Sequence, residues 1–241
     1  MASTEDTAAF IPRLLVTGAA LLVGLALIGL AFPRAAAYYH AVSWRSLSLA
    51  GPSATDSAAE TEALLAAYRA ATAWQPGDAT LQKLHGQQAL LELGHDKTDI
   101  GALKMEAATS LALAIAAAPD NVCAWASYAY AGNRYALPGV AVGPSIRLAY
   151  ILSPPPPSCT GLRLSVMLAH PDAIPDDLKP YVMADIKALW FSLQYGRSTD
   201  LVYVYRDAPP ESRALIKETV ATPTPRGQRA FDALIKGPPS R

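Results

Sequence analysis

Hydrophobic positions follow two regimes along this chain. From Leu14 to Phe32 (LLVTGAALLVGLALIGLAF) there is no charge, and Thr17 is the only polar side chain. From Ala58 onward, apolar residues recur every three or four positions between turns that contain Pro and Gly. The first regime has the length of a transmembrane helix: at 1.5 Å per residue, Leu14–Phe32 reaches roughly 28 Å, against about 30 Å of bilayer hydrocarbon. Arg13 and Arg34 bracket it, and Pro12 and Pro33 are expected to mark its ends. A cleaved signal peptide competes, because Ala35-Ala36-Ala37 offers an A-x-A-like site. Signal peptides, however, carry a shorter apolar core of roughly 7–15 residues behind a positive stretch. Here Glu5 and Asp6 stand before the run with a single Arg, so an uncleaved, single-pass anchor is expected.

The second regime predicts an all-α body. Helical spacing runs over Ala58–Trp74, Thr80–Leu93, Ala102–Ala118, Val122–Tyr135, Val142–Leu152, Gly161–Ala169, Pro180–Tyr195, Glu211–Val220 and Arg226–Ile235. Strict apolar alternation occurs only briefly, in Leu201–Tyr205 (LVYVY). Between the two regimes, Tyr38, Tyr39 and Trp44 are aromatics of the kind that settle at headgroup depth, and Gly51-Pro52-Ser53 breaks the chain before the body. The expected organisation is therefore a tail (1–13), a transmembrane helix (14–32), an interfacial segment and linker (33–57), a repeat region (58–157) and a C-terminal helical region (158–241).

The repeat region is read from its prolines. Pro76, Pro119 and Pro154 are separated by 43 and 35 residues. Aligning on them superposes Tyr68, Leu111 and Ile146 eight positions earlier, and Ala71, Ala114 and Ala149 five positions earlier. A small residue lets two antiparallel helices approach closely, and the bulky one a turn away fills the neighbouring gap. In Ala107, Leu111, Ala114 and Pro119 this pattern resembles the second helix of a tetratricopeptide repeat, with Gly86 at the small position of the preceding helix and Trp125 at the aromatic position after Pro119. Gln82 departs from the family pattern, which has an aromatic there, and an insertion around His95–Gly101 lengthens one unit. The resemblance implies a solenoid of helical hairpins, with the C-terminal region as its cap. A looser similarity, covering about half the chain and including Ser145–Leu148, Ser153–Pro155 and Leu162–Leu164, is to membrane-anchored tetratricopeptide-like proteins of bacterial polysaccharide production and export.

Composition narrows the function. The chain carries 20 Lys and Arg against 20 Asp and Glu, and only 17% of its residues are charged. Neutrality without a basic run argues against nucleic acid as a partner. Positive-inside counting does not settle orientation, with Arg13 before the span and Arg34 and Arg45 after it. A short tail and a large C-terminal portion fit a bacterial-type inner-membrane anchor with a periplasmic body. Within the span, Ala20 and Gly24 form a small-xxx-small pair between Leu14 and Phe32.

No catalytic constellation emerges. His40, His85, His95 and His170 read as surface or turn residues, without metal-ligand spacing. Asp172, Asp176 and Asp177 read as caps and solvating groups ahead of the Leu178–Tyr195 helix. Arg163 stands alone in an apolar run, and the Trp190-Phe191 stripe reads as core. Cys123 and Cys159 each follow a proline by four residues and fall at corresponding helix starts. Regular helix spacing of about 8–10 Å exceeds the ~7 Å disulfide limit, which favours two buried thiols. A distorted Pro-rich turn would instead allow a bridge.

The expectation is a protein without enzymatic activity, cofactor, metal or small-molecule substrate. It is expected to be a membrane-anchored helical-repeat protein that mediates protein-protein interaction or assembly of a cell-envelope complex, with the lipid bilayer and other membrane or periplasmic proteins as partners. As an alternative, the chain is an accessory structural subunit of a large respiratory, photosynthetic or secretory membrane complex.

Overall fold

A computed structural model of the chain describes residues 4–40, 58–94, 100–152, 158–194, 200–221 and 225–236. All regular structure among them is helical: α1 (Thr4–His40), α2 (Ala58–Trp74), α3 (Ala79–Glu92), α4 (Ile100–Ala117), α5 (Val122–Tyr135), α6 (Val142–Ile151), α7 (Thr160–Ala169), α8 (Lys179–Gln194), α9 (Asp200–Asp207), α10 (Pro210–Ala221) and α11 (Pro225–Lys236), with a short 3-10 turn at Pro171–Ala173.

Helix α1 corrects the boundaries read from its prolines. It begins at Thr4, inside the expected tail, and runs through Pro12 and Pro33 to His40. Beyond Pro33 the helix gains packing of Ala37 and a hydrogen bond from Tyr38 against the body, which offsets the one backbone hydrogen bond that a proline removes. The alternating LVYVY is also helical, in α9, with Leu201, Val202 and Val204 buried. Five residues of alternation fit one and a half helical turns equally well, and packing decides: Tyr205 meets the ring of Phe231 edge-on at 5.4 Å.

Short turns join α2 to α3 through residues 75–78 and α4 to α5 through residues 118–121. Each turn ends on a side chain that satisfies free N–H groups of the next helix. Asp78 accepts from Thr80 and Leu81 at 2.9 and 3.0 Å, and Asn121 accepts from Ala124 at 3.1 Å. Between α5 and α6, Ala136 adopts the left-handed conformation with φ 51°. Such turns make consecutive helices antiparallel.

From α1 to α6 each helix packs on its successor. Helix α7 then contacts α5, α6, α8 and α9, and α10 packs against α8, α9 and α11. One apolar core runs from Leu65 through Leu111, Ile146, Leu164 and Ile186 to Phe231. A smaller one holds Ala37, Tyr68, Ala71, Leu81 and Leu84. Ala37 belongs to α1, so the long apolar helix is part of the folded body at its C-terminal end.

Candidate functional site at the end of the long apolar helix

Helix α1 has two characters along its length. Leu21, Leu22, Leu25, Leu27, Ile28 and Leu30 are all exposed, Leu30 at 74%. Thr17–His40 is long and apolar enough to cross a membrane, as is α4, part of which is buried in the body. Past the apolar run the helix docks. Phe32 meets Trp74 edge-on at 5.6 Å, Ala37 is fully buried, and the Tyr38 hydroxyl donates to Asp78 Oδ2 at 3.1 Å. Phe32 lies beside the C-terminal residue of α2, and Ala37 shares a core with Tyr68 and Ala71 further back along α2, so the two helices run antiparallel. The sequence reading put Tyr38 and Tyr39 in an interfacial linker. Both belong to α1, Tyr39 packing on His40 at 5.9 Å. Trp44 lies outside the described residues, and so does the rest of the expected linker from residue 41 to 57.

The repeat positions converge on packing surfaces. Tyr68, Leu111 and Ile146 are buried, as are Ala71, Ala114 and Ala149. Gly86 approaches α4 so closely that a Cβ there would lie 2.6 Å from Leu111 Cγ and 3.2 Å from the Ala107 carbonyl. The Trp125 indole donates to the Pro119 carbonyl at 2.8 Å, and the exposed Pro76 accepts from Gln82 Nε2 at 2.9 Å. That bond gives Gln82 a local partner at the position where tetratricopeptide repeats have an aromatic. Pro154 lies outside the described residues. In α1, Ala20 and Gly24 are on the helix, with nothing within contact of a Cβ at Gly24. Leu14 lies on the same helix.

His85 corrects its reading as a surface or turn residue. It sits within α3, buried, with Nε2 2.6 Å from Glu106 Oε1 and Nδ1 3.2 Å from both Thr72 Oγ1 and Ser110 Oγ. Arg69 donates twice to the same Glu106 carboxylate, at 2.6 Å each. Burial pushes the Glu106 carboxyl up, but the bonds from Arg69 and His85 outweigh it and hold it at about 2. The network ties α2, α3 and α4 together in the middle of the hairpin array. Ser, His and Glu here have the residue types of a hydrolytic triad, yet Ser110 is buried among packed helices, without the accessible nucleophile that acyl transfer needs. His95 lies outside the described residues.

Sequence reasoning missed a second buried polar centre. Arg163 on α7 is fully buried and donates to both oxygens of Asp185 on α8, at 2.7 and 2.5 Å, and to the Ala149 carbonyl at 3.0 Å. The Tyr150 ring stacks 4.2 Å from its guanidinium. Burial raises the Asp185 carboxyl, against the opposing pull of Arg163. Asp185 falls on the inward face of α8 beside Val182, Ile186 and Leu189, and a lone acid on such a face was the available signal. The acids that drew attention instead are peripheral: Asp176 pairs with Lys179 at 2.7 Å and Asp177 with Arg147 at 2.6 Å, both exposed and of little energetic weight. Trp190 is core, edge-on to Phe231 at 5.7 Å, whereas Phe191 is exposed.

Cys123 and Cys159 are joined in a disulfide with Cα atoms 5.5 Å apart, which corrects the free-thiol reading. Helix-axis spacing is the wrong ruler here, because Cys159 is the N-cap of α7 and Cys123 lies in the first turn of α5. The ends of two directly contacting helices converge more closely than their axes. The Ser158 hydroxyl lies 3.3 Å from Cys123 Sγ.

A cavity of about 90 Å³ opens beside Tyr130, Arg134, Tyr203 and Asp207, several-fold smaller than typical small-molecule sites of roughly 300–1,000 Å³. Comparison of the chain with protein families, with curated proteins and with solved structures finds no significant match.

Proposed function

We propose that this chain is a single-span membrane protein whose non-catalytic helical body is an interaction or assembly module of the cell envelope, with the body on the periplasmic side. The observation that carries this reading is the division of α1. Its apolar stretch exposes a continuous surface of Leu, Ile and Val, while its C-terminal end is locked into the body through Ala37, Tyr38 and Phe32. An exposed apolar surface of that length is costly in water and at home in lipid. Helix α4, the other helix of sufficient length, packs Ala107, Ala108, Ser110, Leu111 and Ala114 into the body, which favours α1 as the anchor among the described residues. The Cys123–Cys159 bridge supports a body outside the cytoplasm, since such bonds persist in oxidising compartments.

Hairpins stacked through Tyr68, Leu111 and Ile146 supply the kind of surface that binds peptide segments or neighbouring subunits, and tethering raises its effective concentration toward membrane partners. The resemblance to anchored tetratricopeptide-like proteins directs the first search for partners to polysaccharide production and export. The second reading, an accessory structural subunit of a large membrane complex, is favoured by the exposed Ile100, Met105 and Leu113 along α4. Gentle membrane extraction followed by identification of co-purifying proteins tests both. A stable stoichiometric assembly supports the subunit reading, exchangeable partners support the scaffold, and a bare monomer counts against both. Protease access to intact spheroplasts tests orientation: a periplasmic body is cut there, and one protected until the inner membrane is opened refutes the placement.

A further inference from the structure

The turns of the body do not distribute evenly around it. Helix α1 leaves its apolar run at Phe32, and α2 returns antiparallel to it, so that Trp74, at the end of α2, lies level with Phe32. Because α2, α3, α4 and α5 alternate in direction, the turn at residues 118–121 falls at the same end as the turn at residues 75–78. Helix α6 returns along α5 after the turn at residues 136–141, so its C-terminal end falls at that end too, and the disulfide holds the start of α7 beside the start of α5 there. The C-terminal ends of α2, α4 and α6 therefore share the end of the body from which α1 emerges.

That end carries exposed apolar side chains. Trp74 is 44% exposed, Ile151 is 61% exposed, and Leu152 and Leu148 are exposed beside it. We infer that this end of the body lies on the lipid surface around α1, with Trp74, Ile151 and Leu152 in the headgroup region. The occupant follows from position, since Trp74 touches the last residue of the apolar run and a Trp at that level sits where indoles partition. Attraction to anionic headgroups does not drive the contact: Asp78 and Asp120, at the tips of two of these turns, are acidic. Apolar insertion next to an existing span does, because α1 has already brought the surface to the bilayer. The inference rests on α1 being the span, and it leaves the opposite end and the sides of the body free for protein partners.

The test uses the full chain in vesicles of phosphatidylethanolamine and phosphatidylglycerol, with photoreactive benzoylphenylalanine replacing Leu25, Trp74, Ile151 or Ile100 in separate variants. Formation of the Cys123–Cys159 bridge on a non-reducing gel serves as the folding check. Leu25 reports the span. Ile100, 51% exposed and at the opposite end of α4, controls for exposed apolar character. The expected result is lipid crosslinking at Leu25, Trp74 and Ile151, with yields at Ile151 severalfold above Ile100 and little changed by added salt. Crosslinking at Leu25 with none at Ile151, or equal yields at Ile151 and Ile100, overturns the inference while leaving the span intact. Crosslinking of Ile151 to a second copy of the chain also overturns it. Absence of lipid at Leu25 removes the span reading and this inference with it.

Discussion

Arg163 and Asp185 form a two-point ion pair, 2.7 and 2.5 Å, with both side chains essentially out of solvent. Buried charges are costly to bring out of water and are held by the geometry of their bonds, so the pair matters most when only half of it is removed. Arg163→Ala or Asp185→Ala is expected to cost about 3–5 kcal/mol, because either leaves a charge without its partner. Replacing both, with Arg163→Met and Asp185→Leu, is expected to cost far less or to stabilise. Denaturant unfolding of the four proteins in the same detergent checks this, and equal losses in single and double variants would show that packing rather than charge holds α7 to α8.

Glu106 predicts the acid limb of stability. Its carboxyl is held at about 2 in the folded chain, below the ordinary 4.5. A depressed carboxylate contributes stability that is fully present above the unfolded value and is lost as pH falls through the folded one. The contribution therefore fades between about pH 4.5 and about pH 2. Glu106→Gln should lower stability at neutral pH and flatten its decline in this window. Thermal unfolding of both proteins across that range checks the sign: parallel curves would mean that the Arg69 and His85 bonds do not set the acid response.

The Cys123–Cys159 bridge closes a loop with a sequence separation of 36. Constraining an unfolded chain by a loop of that size is worth about 2–4 kcal/mol. Cys159→Ser, or reduction of the intact protein, should lower the melting temperature accordingly. A reduced protein that melts with the oxidised one would remove this contribution. The same bridge is a topological reporter, since protein from cells grown aerobically should carry it wherever the body lies outside the cytoplasm.

Much of this fold was legible in the sequence, and its errors share a cause. Helices were readable because their periodicity is long and their stops are Pro, Gly, Asp and Asn: Ala58–Trp74 and Val122–Tyr135 coincide with α2 and α5. Local rules failed where a long-range contact overrides them. Pro33 would end an isolated helix, but α1 continues because Ala37 and Tyr38 are packed against the first hairpin. LVYVY alternates, but α9 forms because Phe231 waits for Tyr205. Buried polar centres were hardest to see, because His85 and Glu106, or Arg163 and Asp185, lie 21 and 22 residues apart on different helices. A single polar residue on an apolar face gives no hint of its partner. The disulfide stood only as the second reading of Cys123 and Cys159 for the related reason that helix termini meet where axes do not.

Where Gly86 meets Leu111, two effects of opposite sign compete. In an exposed helix, Gly→Ala stabilises by roughly 0.5–1 kcal/mol through backbone entropy. Here the added Cβ would lie 2.6 Å from Leu111 Cγ and 3.2 Å from the Ala107 carbonyl, and overpacking of this kind costs about 1–3 kcal/mol. The clash should win, so Gly86→Ala is expected to destabilise, and Gly86→Val more so. Leu111→Ala alone should cost about 2–5 kcal/mol through the cavity it opens. Combined, the two changes are expected to cost less than their sum, since the new methyl enters the space that Leu111 leaves. A double-mutant cycle by denaturant unfolding checks the coupling. Strict additivity would mean that Gly86 is small for its own backbone and not for the approach of α4.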